Sequence, residues 1–419
     1  MKKEFTYLLL IASFVFAPAQ TTKDQVLSNP NQTGGVYFAY PTPTQKLTAA
    51  PKGYEPFYIS HYSRHGSRWL INDKDFSGVL EQLRKASKAD ALTANGKSAL
   101  ERLEKVWLLA EGHNGDLTEL GARQQQQISQ RMVHNFPAAF SGNSFVTGRS
   151  TVVPRCILSM AYFTNELKGL RPNVDITVES SDKYMKYLNH HTKESNEFRN
   201  QTAYWQQEKR QFKDESFRAE RFVNNLFSDS DYIYNNIDAQ KTLEAFYWIA
   251  SDMQNIDTDI SFYDLFTPDE LFNAYQYINY QTYINDGSWP VSQGLIIKNA
   301  VPLVKNILEE AQDYIKTNRK GASLRFGHDG NIIPLLALLK IEGMYGEETD
   351  PSKIYSVFNT YQTAPMAANL QMVFYRNKKE NILVKFMLNE REVKIPVETA
   401  QFPYYQWEDV EKHLLSVTN

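Results

Sequence analysis

Cysteine is nearly absent. Cys156 is the only one in 419 residues, which excludes an intramolecular disulfide and any zinc site built on several thiolates. An excess of one charge is lacking too: 45 Lys and Arg against 48 Asp and Glu leave a formal charge of −3. A dedicated nucleic-acid binder needs a basic surplus for its phosphate contacts, so that class is not expected, although a local basic pocket is compatible with the balance. Past the first twenty residues no apolar run approaches the ~20 residues of a membrane span, and no repeat of solenoid or propeller period is visible. The chain is otherwise ordinary: 42% hydrophobic and 22% charged, with 25 Tyr and 24 Phe. That composition suits a folded chain with aromatic-lined clefts. Its length allows two or three domains, or one α/β core with a large insertion.

The first residues read as a processing signal. Lys2 and Lys3 precede an apolar run from Phe5 to Ala17, and Ala17-Pro18-Ala19 puts small residues where signal peptidase reads them. We expect a signal peptide over 1–19, export to the periplasm or medium, and no membrane attachment after cleavage. Export removes cytosolic ATP and NAD from the candidate substrates and favours a hydrolase or a binding protein.

Thr21 to Pro51 is rich in Thr, Pro, Gln and Gly and reads as an irregular lead-in. Phe57 to Tyr62 is short, aromatic and β-branched, a buried strand running into Arg64-His65-Gly66. Helices are expected over Phe76–Asp90, Gly96–Leu109 and Leu117–Met132, the last with Thr118 as N-cap. Further strands are expected at Ser144–Gly148, Val174–Val178 and Ser323–Gly327. Helices should run over Val153–Leu167, Asn331–Leu339 and Gln406–Leu415. Met372–Tyr375 and Ile382–Met387 should pair antiparallel. Between about 180 and 311 helical periodicities dominate. The pattern is an α/β sheet with helices on both faces, interrupted by a mostly helical insertion: a core of 20–169 and 321–419, and a cap of 170–320.

Three strand ends carry charge. They are Arg64-His65-Gly66-Ser67-Arg68, Arg155 one helical turn past a strand, and His328-Asp329. In open α/β sheets ligands bind at the carboxyl ends of strands, so these separate segments can converge. Taken singly, each has a plainer account. Arg64 and Arg68 could be surface charges, Arg155 a solvated first-turn residue, and Asp329 the N-cap of the helix after it. Arginines at a buried strand end, however, need an anionic partner.

The first of these segments resembles the RHGxRxP signature of the histidine acid phosphatases, with Leu70 where the signature has Pro. His328-Asp329 resembles that family's HD dipeptide. Ser150–Met160 resembles the segment that holds its third arginine, here Arg155, and Leu117–Gly121 resembles its LTxxG helix start. Ser181–Phe198 is similar to the multiple inositol polyphosphate phosphatase branch, which usually carries His-Ala-Glu where this chain has His328-Asp329-Gly330. The resemblance implies a phosphoglycerate-mutase-like α/β sandwich core with a mostly α-helical inserted cap. It also implies phosphate monoester hydrolysis through a phosphohistidine, without metal or other cofactor.

The residues suit that chemistry. Phosphoryl transfer needs alignment and charge stabilisation more than covalent activation. Arg64, Arg68 and Arg155 are always-charged planar donors that fork onto phosphoryl oxygens. His65 is the expected nucleophile, kept neutral by the neighbouring arginines. His328 is expected to donate to the phosphoryl group, and Asp329 to protonate the leaving alkoxide and then activate water. Lys183 and Lys186, just past the third strand, could meet peripheral phosphates or form a solvated basic face. Phytate and other inositol polyphosphates are the expected substrates. A broad or sugar-phosphate acid phosphatase, or a binding protein that has lost turnover, would use the same arginines.

Overall fold

The computed structural model describes residues 21–200 and 204–418; the expected signal peptide lies outside the described residues. Eight strands form one mixed sheet: β1 (Glu55–Arg64), β2 (Phe145–Ser150), β3 (Asp175–Ser180), β4 (Gly321–Gly327), β5 (Asn369–Arg376), β6 (Ile382–Leu388), β7 (Arg391–Glu392) and β8 (Tyr404–Gln406). Their order is β3-β2-β4-β1-β5-β6-β7, with β8 also on β6. The four strands from β3 to β1 are parallel; β5 runs against them, and β6 runs against β5. The α/β class and the antiparallel β5–β6 pair are those the sequence pattern predicts.

Side-chain alternation along β1 explains the layers. Tyr58 and Tyr62 point to one face, where they meet Leu370, Met372 and Phe374 of β5 and the helices Val301–Lys316 and Asp329–Leu338. Ile59 points to the other, joining Val146, Phe326 and Val373 beneath the helices Glu119–Asn135 and Pro154–Leu170. Both faces of the central strands are therefore covered, as parallel strands require.

A second apolar core is built mostly from helices. Lys74–Lys88 and Ala94–Ala110, which precede β2, bury Phe76, Leu80 and Leu103 against Phe222, Phe246 and Ile249 of the long helical stretch between β3 and β4. That stretch also feeds the sheet: β3 lies within 170–320 as an edge strand, and Val301–Lys316 packs on the sheet face. The helical residues thus share their cores with elements on both sides of them. The lead-in differs from expectation. It holds a helix at Lys23–Leu27, closed by a capping box on Thr22, and a 3-10 segment over Pro30–Tyr37. Burial of Val26, Val36 and Tyr37 against the helical region orders a stretch whose own sequence has no period. No described helix is long and apolar enough to cross a membrane.

Candidate active site

The register of the parallel strands brings the charged segments together. Arg64 pairs with Gly327 at the carboxyl ends of β1 and β4, and Ser150 of β2 pairs with Phe326. His65, Thr151–Arg155 and His328-Asp329 therefore leave the sheet at the same edge. The His65 backbone N–H donates to Gly327 O at 3.0 Å, and the His65 and His328 rings lie 5.7 Å apart between centroids.

The loop after β1 is pinned by a helix start. Thr118 N-caps Glu119–Asn135 through Gly121 N, as predicted, and both its backbone N–H and its hydroxyl donate to Ser67 O, at 2.9 and 3.1 Å. Helix and loop approach so closely that neither Gly66 nor Gly121 has room for a side chain. A Cβ on Gly66 would stand 2.3 Å from Gly121 O, and one on Gly121 2.1 Å from Ser67 O. The loop is then held by a buried polar network. Ser67 N donates to Gln124 Oε1 at 2.8 Å, Ser67 Oγ to Asn255 Oδ1 at 2.7 Å, and Leu70 N to Asp252 Oδ2 at 3.1 Å.

His65 is 1% exposed. Its Nδ1 lies 2.8 Å from the Gly66 carbonyl, an acceptor only, so Nδ1 carries the proton and Nε2 keeps the lone pair. Burial, then the charges of Arg64, Arg68 and Arg155, hold the imidazolium form well below the usual histidine range. Burial leads that shift; the arginines reinforce it in the direction the sequence predicts.

Three guanidiniums surround this ring. Arg64 is fully buried and donates through Nη1 to the carbonyls of Val36 and Ala364. Its Nη2 stands 3.2 Å from Asp329 Oδ2, an ion pair without hydrogen-bond alignment. Arg68 donates to Tyr37 Oη at 3.0 Å and stacks its guanidinium over the Tyr37 ring, 4.7 Å from the centroid. Arg155 follows Pro154 in the uncapped first turn of its helix. The Nε atoms of Arg64, Arg68 and Arg155, and Arg64 Nη2, are buried without a hydrogen-bond acceptor. Buried cationic donors left open demand an anion, and a tetrahedral oxyanion can accept from several planar forks at once.

His328 is the N-cap of the helix Asp329–Leu338, and Asp329 falls in its first turn. The alternative of Asp329 as N-cap is thereby corrected: the chain enters the helix one residue earlier, because His328 takes the extended backbone of the cap. His328 Nε2 lies 3.2 Å from Thr151 Oγ1, and burial with the nearby arginines lowers its pKa to about 4. Asp329 is about a third exposed. Although burial opposes it, Arg64 and Arg68 draw its carboxyl below the ordinary range.

Lys183 and Lys186 are placed elsewhere. They line a cavity of about 370 Å3 together with Arg149, Lys305, Glu309 and Glu310, a lining that includes none of the signature residues. Sequence reasoning missed Tyr37, Gln124, Asp252 and Asn255. Tyr37 sits in the apparently irregular lead-in, and Asn255 reaches Ser67 across 188 residues. No local motif marks either. Among the described residues no group of three or more His, Cys, Asp or Glu side chains is arranged to hold a metal ion.

Residues 62–389 match the model of the histidine phosphatase superfamily, branch 2. No curated protein matches the chain by sequence. In fold it is similar to the multiple inositol polyphosphate phosphatase of Bifidobacterium longum in its apo form, with a TM-score of 0.76 at 18% identity over 91% of this chain and 97% of that one. The same protein in complex with inositol hexasulfate gives a TM-score of 0.75 at the same identity and coverage. The phytase from D. castellii gives 0.69 at 14% identity, over 93% of this chain and 85% of the other. With its family model spanning most of the sequence, the chain belongs to branch 2 of the histidine phosphatase superfamily and is a phosphomonoesterase.

Proposed function

We propose that this enzyme is exported and hydrolyses inositol polyphosphates, phytate among them, through a phosphohistidine on His65. The observation that carries the phosphoryl-transfer reading is the buried His65 ring, its Nε2 lone pair free while open guanidinium donors of Arg64, Arg68 and Arg155 surround it. Those donors hold the phosphoryl oxygens and spread the charge of the transition state. His65 Nε2 attacks phosphorus in line with the departing ester oxygen. His328 donates a further hydrogen bond. Asp329 delivers a proton to the leaving alkoxide and later takes one from the water that cleaves phosphohistidine.

Asp329 is ionised in the resting site by its pair with Arg64. A bound phosphate dianion shares that guanidinium and adds negative charge beside the carboxylate, and both effects raise its pKa. Substrate binding therefore favours protonation of its own general acid.

The inositol polyphosphate reading is supported by the likeness in fold to a phosphatase crystallised with inositol hexasulfate. The export reading rests on the sequence of residues 1–19. Product analysis after incubation with phytate and with a panel of sugar phosphates tests substrate class. Stepwise release of phosphate from phytate at a kcat/KM well above that for the sugar phosphates supports the proposal. The reverse order makes the enzyme a sugar-phosphate or broad acid phosphatase.

A further inference from the structure

A second carboxyl group stands beside the general acid, and neither the signature segments nor the family match accounts for it. Asp286 ends the helix Pro268–Asp286. Its Oδ1 lies 3.5 Å from where a Cβ on Gly330 would be, next to Asp329 in the chain. Asp329 in turn accepts from Gly330 N at 3.1 Å. The glycine thus leaves both carboxyl groups against the same short piece of backbone. Each is partly open, Asp286 at 22% and Asp329 at 32% exposure, within an otherwise buried site.

Asp286 is held in place from the opposite side. Arg199, in the helix Lys193–Asn200, reaches Asp286 Oδ1 with Nη2 at 3.1 Å. The same guanidinium donates to Asn285 O from Nε and Nη2, at 2.9 and 2.6 Å. Its Nη1 lies 3.2 Å from His191 Nδ1. The charged groups facing Asp286 are therefore Arg199 and Asp329, with His191 behind Arg199. Arg64, Arg68 and His328 act on Asp329.

We infer that Asp286 and Asp329 work as a carboxyl pair that shares one proton, with Asp286 as the positioning residue that stores it and Asp329 as the group that delivers it. The inference rests on the phosphatase reading above. As the ester bond breaks, the proton stored on Asp286 passes to Asp329, which delivers it to the leaving alkoxide, so that both groups are left as carboxylates. Asp329 then takes a proton from the water that attacks phosphohistidine, and that proton returns to Asp286. The pair ends the cycle with the one proton it began with.

The electrostatics run in the required direction. Burial pushes the Asp286 carboxyl up to about 7; Arg199 opposes this and the charge of Asp329 adds to it. Asp329 is held low by Arg64 and Arg68. One carboxyl thus keeps its proton in the acid range while its neighbour is ionised, the division of labour that adjacent carboxyl groups adopt because like charges cannot both be ionised cheaply.

The test is the pH dependence of the single-turnover burst with inositol hexakisphosphate, run beside the burst with nitrophenyl phosphate, whose leaving group needs no proton. In Asp286→Asn the store is gone and the negative neighbour of Asp329 with it. The alkaline limb for the inositol ester should move to lower pH by about one unit or more, while the nitrophenyl burst keeps its profile. Arg199→Gln removes the positive charge beside Asp286 and should move the same limb to higher pH. Circular dichroism establishes that each variant is folded, and either folded variant is sufficient. A limb that stays in place, or an equal loss with both esters, makes Arg199–Asp286 a structural ion pair and overturns the inference. If the wild-type enzyme turns over neither ester, the phosphatase reading itself has failed.

Discussion

The contact between Gly121 and the loop after β1 sets the position of the whole nucleophile segment, and Gly121→Ala should show it. The added Cβ would sit 2.1 Å from Ser67 O, 2.8 Å from Ser67 N and 2.8 Å from Leu117 Cδ1. Carbon–heavy-atom contacts relax near ~3.5 Å, so helix and loop must part by on the order of 1 Å. The nearest obstacle is backbone, which cannot rotate away. Overpacking of this kind costs about 1–3 kcal/mol, against a gain of about 1 kcal/mol from replacing glycine within a helix. The displaced residue, Ser67, lies between His65 and Arg68, and a shift of ~1 Å at reacting groups is worth ~10²-fold in rate. Gly78→Ala is the matched control. Gly78 is exposed in the helix Lys74–Lys88 with nothing within 4 Å of its Cβ position, and the substitution should stabilise by about 0.5–1 kcal/mol. Denaturant midpoints and kcat/KM are measured for both. An unchanged midpoint and rate in Gly121→Ala would refute the argument that this approach fixes the site.

Three further outcomes are expected. Asp329→Asn removes a general acid worth about 10²–10⁴-fold; the burst with phytate should fall by that order while the nitrophenyl ester loses far less, and equal losses would remove Asp329 from that role. Replacing Lys183 and Lys186 together with Ala should raise KM for polyphosphates and leave a simple monoester unchanged, because both line the basic cavity and neither touches the arginine cluster; a simple monoester affected as strongly would place them otherwise. Chelation by EDTA should leave the rate unchanged, since Arg64, Arg68 and Arg155 supply the positive charge; loss of rate restored by a divalent ion would contradict that.

What could be read from the sequence followed physical locality. Strand ends and glycine-bearing turns announce themselves within a few residues, so His65, Arg68 and His328-Asp329 were visible, as was the Thr118 cap. The buried strand β1 and the antiparallel β5–β6 pair were equally local. The parts that escaped depend on distant chain. Tyr37 acquires its meaning only when the lead-in folds over Arg68. Asp252 and Asn255 do so only when the helical stretch docks on the loop. The helix after the second signature was read as starting at Asn331 and starts at Asp329, since helix starts are decided by backbone geometry that several residue types accept. Asp286 carries no motif, and its neighbour Asp329 is 43 residues away in the chain.

The central claim is a covalent phosphoenzyme on His65. Rapid quenching of the enzyme with a 32P-labelled phosphate ester, under alkaline conditions that preserve phosphohistidine, followed by peptide mapping, tests it directly. The account predicts acid-labile, alkali-stable label on the peptide containing His65, formed before product water attack and absent in His65→Ala. Label on another residue, or turnover by His65→Ala at the wild-type rate, would contradict it.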